Sequence, residues 1–366
     1  MNSLRPVIFV ILIFVATLLT AQGITFPFSR LSLLFAGDLM QHQSQLDAAK
    51  VSDGTYSFSS YYRYVKEYIE GADIAIANLE TTIGTGRFGG YPAFCAPDSF
   101  LYAAADAGFD VLLFANNHCI DRGKKGALYT MQMMDSLGIM HCGVYRDSLD
   151  RAIRYPLMIE RKGIRMAILN YTYGTNGIQV PEPLIINYID KKIIASDILK
   201  AKRMGADAII ACMHWGDEYI SLPPKRVREL SDWLLKQGVD HIIGGHPHVL
   251  QPIEVRDGEF NASRSTVAYS LGNFVSGMYA RGRDGGVMLR LNMCMVGYIT
   301  YLQSLEYMLT WVARPHRDGV DNFTILPAVN VPLELPESSR NKCMEFVNDS
   351  HSLFELHNKG DINEFY

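Results

Sequence analysis

The sequence predicts a layered α/β protein. Short apolar runs alternate with helix-patterned stretches over most of the chain, several runs stop at a polar residue, and the later segments alternate as antiparallel strands do. The runs over residues 32–38, 74–80, 110–118, 165–172, 207–216, 240–246 and 265–274 are expected as strands. Between them, residues 57–72, 98–109, 126–139, 193–206 and 224–239 carry helical spacing, and several of these stretches end at a glycine fit to cap a helix. Residues 285–312 and 322–328 are expected as antiparallel strands, which implies a second sheet. One domain is expected over residues 30–332, followed at 333–366 by a polar tail whose short helix docks on the surface.

Composition narrows the function. The 366 residues are 48% hydrophobic and 20% charged, enough to bury a large core. A net charge of −4 and a pI near 6.2 give no basic footprint, so nucleic acid is not an expected partner. Residues 1–22 hold one arginine, an apolar run from Val7 to Leu19 and the small residue Ala21 before Gln22. That run is short for a spanning helix and suits an export signal, with an uncleaved N-terminal anchor as the alternative. The six cysteines show no C-x-x-C spacing, which speaks against a zinc–thiolate site, although they could pair in an oxidising compartment.

The chemistry gathers where strands end, the place where open α/β sheets hold ligands. Those positions carry Asp38, then Asn78 and Glu80, then Asn116, Asn117 and His118, then His214, then His246 and His248 in Gly-His-Pro-His, and Asn273. Gly244-Gly245 lets the chain turn, and Pro247 stiffens the link between the two imidazoles. Taken singly, each has a plain structural explanation: Asp38 or Asn117 can cap a helix, His214 can be a core imidazole, and Gly272-Asn273 can be a turn. Together they require one coincidence at strand after strand, and a metal site explains the set better.

The ordered stretches "GDLM", "NLE", "ANNHCID", "HWGDEY", "GHPHV" and "SLGNF" resemble the CapA (PgsA-like) capsule or poly-γ-glutamate biosynthesis proteins, a branch of the calcineurin-like metallophosphoesterase superfamily. The resemblance covers roughly residues 31–328 and implies a four-layer α/β/β/α sandwich. It implies Glu80 as a carboxylate bridging two ions, with Asp38 and His248 on one and Asn117, His214 and His246 on the other. His118 falls where the superfamily keeps a non-ligand catalytic histidine near the leaving group. Such a ligand set suits divalent Mn, Fe or Zn, and paired ions about 3.5–4 Å apart can polarise a phosphoryl oxygen and stabilise a leaving oxygen.

One departure stands out. The superfamily's Asp-x-His at the first strand is here Asp38-Leu39-Met40, and a thioether is a poor ligand for such ions, so one site has a ligand fewer unless His42 reaches back. His42 could equally touch substrate or face solvent. Asn78, Glu218 and Asn273 are weaker candidates for orienting ligands. Asp121 could accept from His118 or, more plainly, cap the next helix, and Arg281 with Arg283 could clamp an anion or sit solvated in a loop.

Three functions fit. The first is an exported, metal-dependent protein of capsule or poly-γ-glutamate assembly with a hydrolase-like or transferase-like site, acting on an anionic polymer within a membrane-associated assembly. The second is an extracytoplasmic metallophosphoesterase, and the third a non-catalytic module that binds an anionic polymer. His118 and the three histidine ligands favour an enzyme, and Met40 favours the binding module.

Overall fold

The computed structural model describes residues 28–258, 264–329, 331 and 334–366, so the leader segment expected over residues 1–22 lies outside the described residues. In chain order the first half contains β1 (Phe28–Leu39), α1 (Gln43–Ala49), α2 (Lys66–Glu70), β2 (Ile74–Leu79), α3 (Asp98–Asp106), β3 (Val111–Leu113), α4 (Gly123–Ser136), β4 (Met140–Cys142), β5 (Val144–Tyr145), α5 (Ser148–Arg154), β6 (Leu157–Arg161) and β7 (Ile164–Thr172). The second contains β8 (Ile185–Ile186), α6 (Lys191–Arg203), β9 (Ala208–His214), α7 (Lys225–Gln237), β10 (His241–Gly245), β11 (Ile253–Asp257), β12 (Arg264–Ala268), β13 (Asn273–Val275), β14 (Gly285–Val296), β15 (Ile299–Ala313), β16 (Thr324–Pro327), α8 (Glu337–His357) and β17 (Asn363–Glu364).

The layers follow from strand alternation. In β1, Leu31, Leu33 and Phe35 enter one core while Leu34 and Ala36 enter another, and β2 divides Ile74 and Ile76 from Ala75 and Ala77 in the same way. A strand buried on both faces must be covered on both. On one side α3 and α4 supply Phe100, Leu101, Ala104, Ala127, Met131 and Met134. On the other lies a second sheet, whose β7, β9 and β10 pack with Ile194 and Ile198 of α6 and Val227 and Leu234 of α7. The result is the α/β/β/α sandwich.

The first sheet runs β16-β15-β14-β1-β2-β3-β4, with β13 beside β1 and β17 beside β15; the second runs β11-β12-β10-β9-β7-β6. The late antiparallel strands therefore extend the first sheet through β14 on β1, and the second sheet comes from the central strands instead.

Three expected elements are shorter than their apolar runs. The strand expected over 110–118 keeps only Val111–Leu113. Beyond it the amide of Ala115 goes to Asn170 Oδ1 (2.7 Å), and the Asn116 side chain donates to Leu79 O (2.7 Å), so side chains replace the strand ladder. The run 265–274 divides between sheets: β12 pairs with β10, and β13 pairs with β1. Gly272 allows that crossing at φ +68°, and a Cβ on Gly37 would meet the Gly272 carbonyl oxygen at 2.1 Å. The helix expected over 57–72 forms only at Lys66–Glu70, after turns that still bury Tyr61, Tyr62 and Val65.

The polar C-terminal stretch contributes to the core. One face of α8 buries Cys343, Phe346, Val347 and Phe354, with the Phe354 ring edge-on to Tyr307 at 5.1 Å. The described cysteines are all buried and unpaired. Among the described residues no helix is long and apolar enough to cross a membrane.

Candidate metal centre

Strand register assembles the site. In parallel pairing Asp38 lies opposite Asn78 on one side and Asn273 on the other, and Gly245 lies opposite His214. Glu80 follows the last residue of β2, Asn117 and His118 follow β3, and His246 and His248 follow β10. Each chain leaves its sheet toward the same end, and the two sheets meet there through Gly245, whose Cβ would come within 2.9 Å of Asp38 Oδ1.

The geometry converges on Glu80. Its Oε1 lies 3.6 Å from His214 Nε2 and 3.6 Å from His248 Nε2. Ligand-type atoms of Glu80, His246 and His248 lie within 4.8 Å of one another, and so do those of Asp38, Glu80 and His214. Glu80 is common to both groups. These groups place His248 with His246 and Asp38 with His214, a different division from the one the resemblance implies. Asn117 Oδ1 lies 2.8 Å from His214 Nε2.

Neighbours hold these groups in place. Asn78 Nδ2 donates to Asp38 Oδ1 (2.8 Å) and Glu80 Oε2 (3.2 Å), while its Oδ1 accepts from Asn116 Nδ2 (3.1 Å). His248 Nδ1 faces Asn273 Oδ1 at 3.0 Å and Asp38 Oδ2 at 3.2 Å, which leaves Nε2 turned to Glu80 and free for an ion. His246 and His248 sit at φ 97° and 56°, a region that costs a non-glycine residue free energy. The loop is held there by Tyr219 N donating to Pro247 O (2.8 Å) and Trp215 N to Gly245 O (3.1 Å).

The donor set fits divalent metal. Glu80 Oε1 and His246 Nδ1 are buried without a hydrogen-bond partner, and a buried carboxylate oxygen in that state is costly unless a cation satisfies it. Burial, with the charges of Asp38 and Glu218 behind it, pushes the Glu80 carboxyl well above the usual range. Burial and the neighbouring imidazoles His246 and His248 hold His214 well below its usual value, and burial and His248 bring His246 down to about 3. His214 and His246 are thus neutral, the state that ligates.

The remaining candidates divide. His118 Nδ1 lies 2.7 Å from Asp121 Oδ2, and its ring meets Phe94 edge-on at 4.6 Å. Asp121 does not cap the helix: its carboxylate also accepts from Phe94 N (2.7 Å), and α4 starts after Arg122 without a side-chain cap. His42 stands outside both ligand groups, its Nδ1 accepting from Gly277 N (3.1 Å), and Met40 is buried. Arg281 pairs with Glu345 (2.9 Å) and Asp349 (2.6 Å) on α8. Arg283 covers the Tyr219 ring at 3.4 Å, and Glu218, exposed beside it, helps burial raise the Tyr219 phenol to about 12.

Beside Phe94, two further site residues escaped the sequence reading. Tyr173 lies over His246 at 4.5 Å, and Asn176 accepts from Asn117 Nδ2 (3.2 Å) while its own Nδ2 lies 3.4 Å from His118 Nε2. Both follow β7, so the rule that polar residues gather at strand ends would have found them.

Against known families, residues 32–278 match the model of the bacterial capsule synthesis protein PGA_cap. The chain belongs to that family. Among its relatives, the capsule biosynthesis protein CapA of Bacillus anthracis is 28% identical over 257 residues, 67% of this chain and 60% of the relative. The PGA biosynthesis protein CapA of Bacillus subtilis (strain 168) is 28% identical over 275 residues, 70% of this chain and 67% of that protein. The match thus spans less than two thirds of the B. anthracis protein. Solved structures of similar fold include the calcineurin-like phosphoesterase YfkN of B. subtilis, at TM-score 0.47 and 13% identity over 89% of this chain and 99% of that one. In this capsule synthesis family member, the matched stretch contains every residue of the two ligand groups.

Proposed function

We propose that the chain is a metal-dependent hydrolase that cuts an anionic, glutamate-type polymer during capsule assembly outside the cytoplasm. The observation that carries the reading is Glu80, whose buried and unpartnered oxygen is shared by two groups of ligand-type atoms. The names of the similar proteins, capsule and PGA biosynthesis, support a polymer of this kind. Asp38, Glu80, His214, His246 and His248 would hold the ions with Asn117, and the ions would polarise the scissile group as Lewis acids.

The chain's own residues then have defined tasks. Asn78 aims two carboxylates, and Asn273 with Asp38 fixes the His248 ring. Asp121 holds His118 by Nδ1, which leaves Nε2 to give a proton to the leaving nitrogen or oxygen. Phe94 and Asn176 hold that imidazole in a nearly water-free position, 3% exposed.

The test is metal content together with turnover. Purified protein should carry Mn, Fe or Zn, and His214→Ala and His246→Ala should each lose metal while melting within a few degrees of the parent. Full metal content in both variants sinks the ligand assignment. Offered γ-glutamyl oligomers and simple phosphoesters, the loaded protein should cleave the first. Cleavage of phosphoesters alone would move the reading to a phosphoesterase, and turnover of neither would favour the binding module to which Met40 points.

A further inference from the structure

A second pocket lies one loop away from the metal centre. It has a volume of about 90 Å³, and Tyr279, Asp284, Trp311, Arg314, Arg317 and Lys342 line it. All six lie beyond residue 278, outside the stretch that matches the family.

Its charges do not cancel internally. Arg281 at the rim is committed to Glu345 and Asp349, and Asp318 accepts from the Arg314 backbone (2.7 Å) and Ser339 Oγ (2.7 Å). That leaves Arg314, Arg317 and Lys342 against Asp284 and the still-charged Asp318, one cation in excess. Arg314 is 8% exposed; its Nη2 donates to Met278 O, but Nε is buried with no partner. Asp284, also 8% exposed, accepts from Trp311 Nε1 (3.1 Å) through Oδ2, and its Oδ1 is buried with no partner. A buried donor and a buried acceptor thus stand unsatisfied on one cavity. Each such group is expensive, and the arrangement is complementary to a ligand that brings both an oxyanion and an N–H.

That requirement separates ligand classes. Sulfate presents acceptors and negative charge to every wall, so Asp284 repels it, and phosphate can meet Asp284 only through a P–OH while bringing more negative charge than a carboxylate does. A carboxylate with a neighbouring N–H satisfies both sides, as in an amino acid or an amide-linked acidic residue. The cavity of about 90 Å³ admits small polar groups such as a carboxylate and its amide.

The pocket is also tied to the metal centre. Met278, whose carbonyl holds Arg314, lies with its sulfur 3.6 Å from Asn273 Nδ2, and Asn273 faces His248. We propose that the pocket is a carboxylate subsite, which grips the carboxylate and adjacent N–H of one acidic repeat while a neighbouring linkage lies at the metal centre. The assignment rests on the polymer reading of the proposed function.

Calorimetry of the full, metal-loaded chain with γ-linked triglutamate tests it, with glutarate and inorganic phosphate as the other arms. Arg317 and Lys342 are exposed, so the double variant Arg317→Ala/Lys342→Ala should fold and keep its metal. Triglutamate should bind the parent and lose roughly tenfold or more in the double variant, the range expected for charge-assisted hydrogen bonds. Glutarate, lacking the N–H, should bind at least tenfold more weakly than triglutamate, and Asp284→Asn should narrow that gap. Phosphate competing as well as triglutamate, or a double variant that binds like the parent, overturns the subsite. Polymer cleavage with an unchanged KM in the double variant keeps the hydrolase and removes the pocket. Triglutamate binding that depends on Arg317 and Lys342 in a chain that cleaves no polymer keeps the pocket and removes the hydrolase.

Discussion

His118 is set up for proton transfer by three neighbours: Asp121 on Nδ1, Phe94 against the ring and Asn176 near Nε2. His118→Asn should therefore keep metal and fold while lowering turnover by roughly 10²–10⁴-fold. Asp121→Asn should cost less and move the pH–rate profile, because it changes the basicity of the ring rather than removing it. Unchanged turnover in both variants would make His118 a structural residue. At this scale the sequence showed which side chains cluster but not their partners. An acid three residues after a histidine can cap a helix or hold the ring, and only the turn through Ile120 decides between them. The partners of Arg281 were hidden for a similar reason: Glu345 and Asp349 lie more than sixty residues away, on a helix that looked peripheral.

Elements were legible where periodicity is long and obscure where side chains interrupt the ladder. The β14–β15 hairpin and the helices α4, α6 and α7 follow their patterns closely. The runs over 110–118 and 265–274 were over-extended, because apolar character continues past the point where Asn170 and Asn116 capture backbone groups and where Gly272 carries the chain into the other sheet. Sheet membership was not legible either, since it depends on which edge the hairpin meets. In β10, His241 is 1% exposed, its Nδ1 has no partner, and burial pushes its imidazole down to about 4. Unfolded, that ring titrates near 6.5. Below that pH the unfolded chain takes a proton that the folded chain refuses, so stability falls as pH drops from about 6.5 toward 4. His241→Leu should flatten that decline by about 1.4 kcal/mol per pH unit, read from urea denaturation of parent and variant across pH 4.5–7. Parallel curves would show that the buried ring takes up its proton as readily in the fold as in the unfolded chain.

Over the whole molecule, the family-matched stretch contains both groups of ligand-type atoms, while the later strands and α8 close one core and build the second pocket. Export belongs to this scale too. The apolar run from Val7 to Leu19 predicts a mature form that begins near Gln22 and lies outside the cytoplasm, checked by N-terminal sequencing of fractionated cells. Intact Met1 on a soluble cytoplasmic protein would exclude it, and a membrane-bound form that retains the segment would mean an anchor. The arrangement of indoles has an optical consequence. Of the chain's three tryptophans, Trp215 directly follows His214 of the candidate metal centre, Trp311 donates to Asp284 in the second pocket, and Trp233 lies on α7 beneath the Lys191 ammonium at 5.3 Å. Each site thus has its own fluorophore. Paramagnetic Mn²⁺ should quench the emission of Trp215, whereas a carboxylate entering the second pocket should shift that of Trp311. In Trp311→Phe the first signal should persist and the second vanish, so the two occupancies can be followed separately, in one cuvette and without a label.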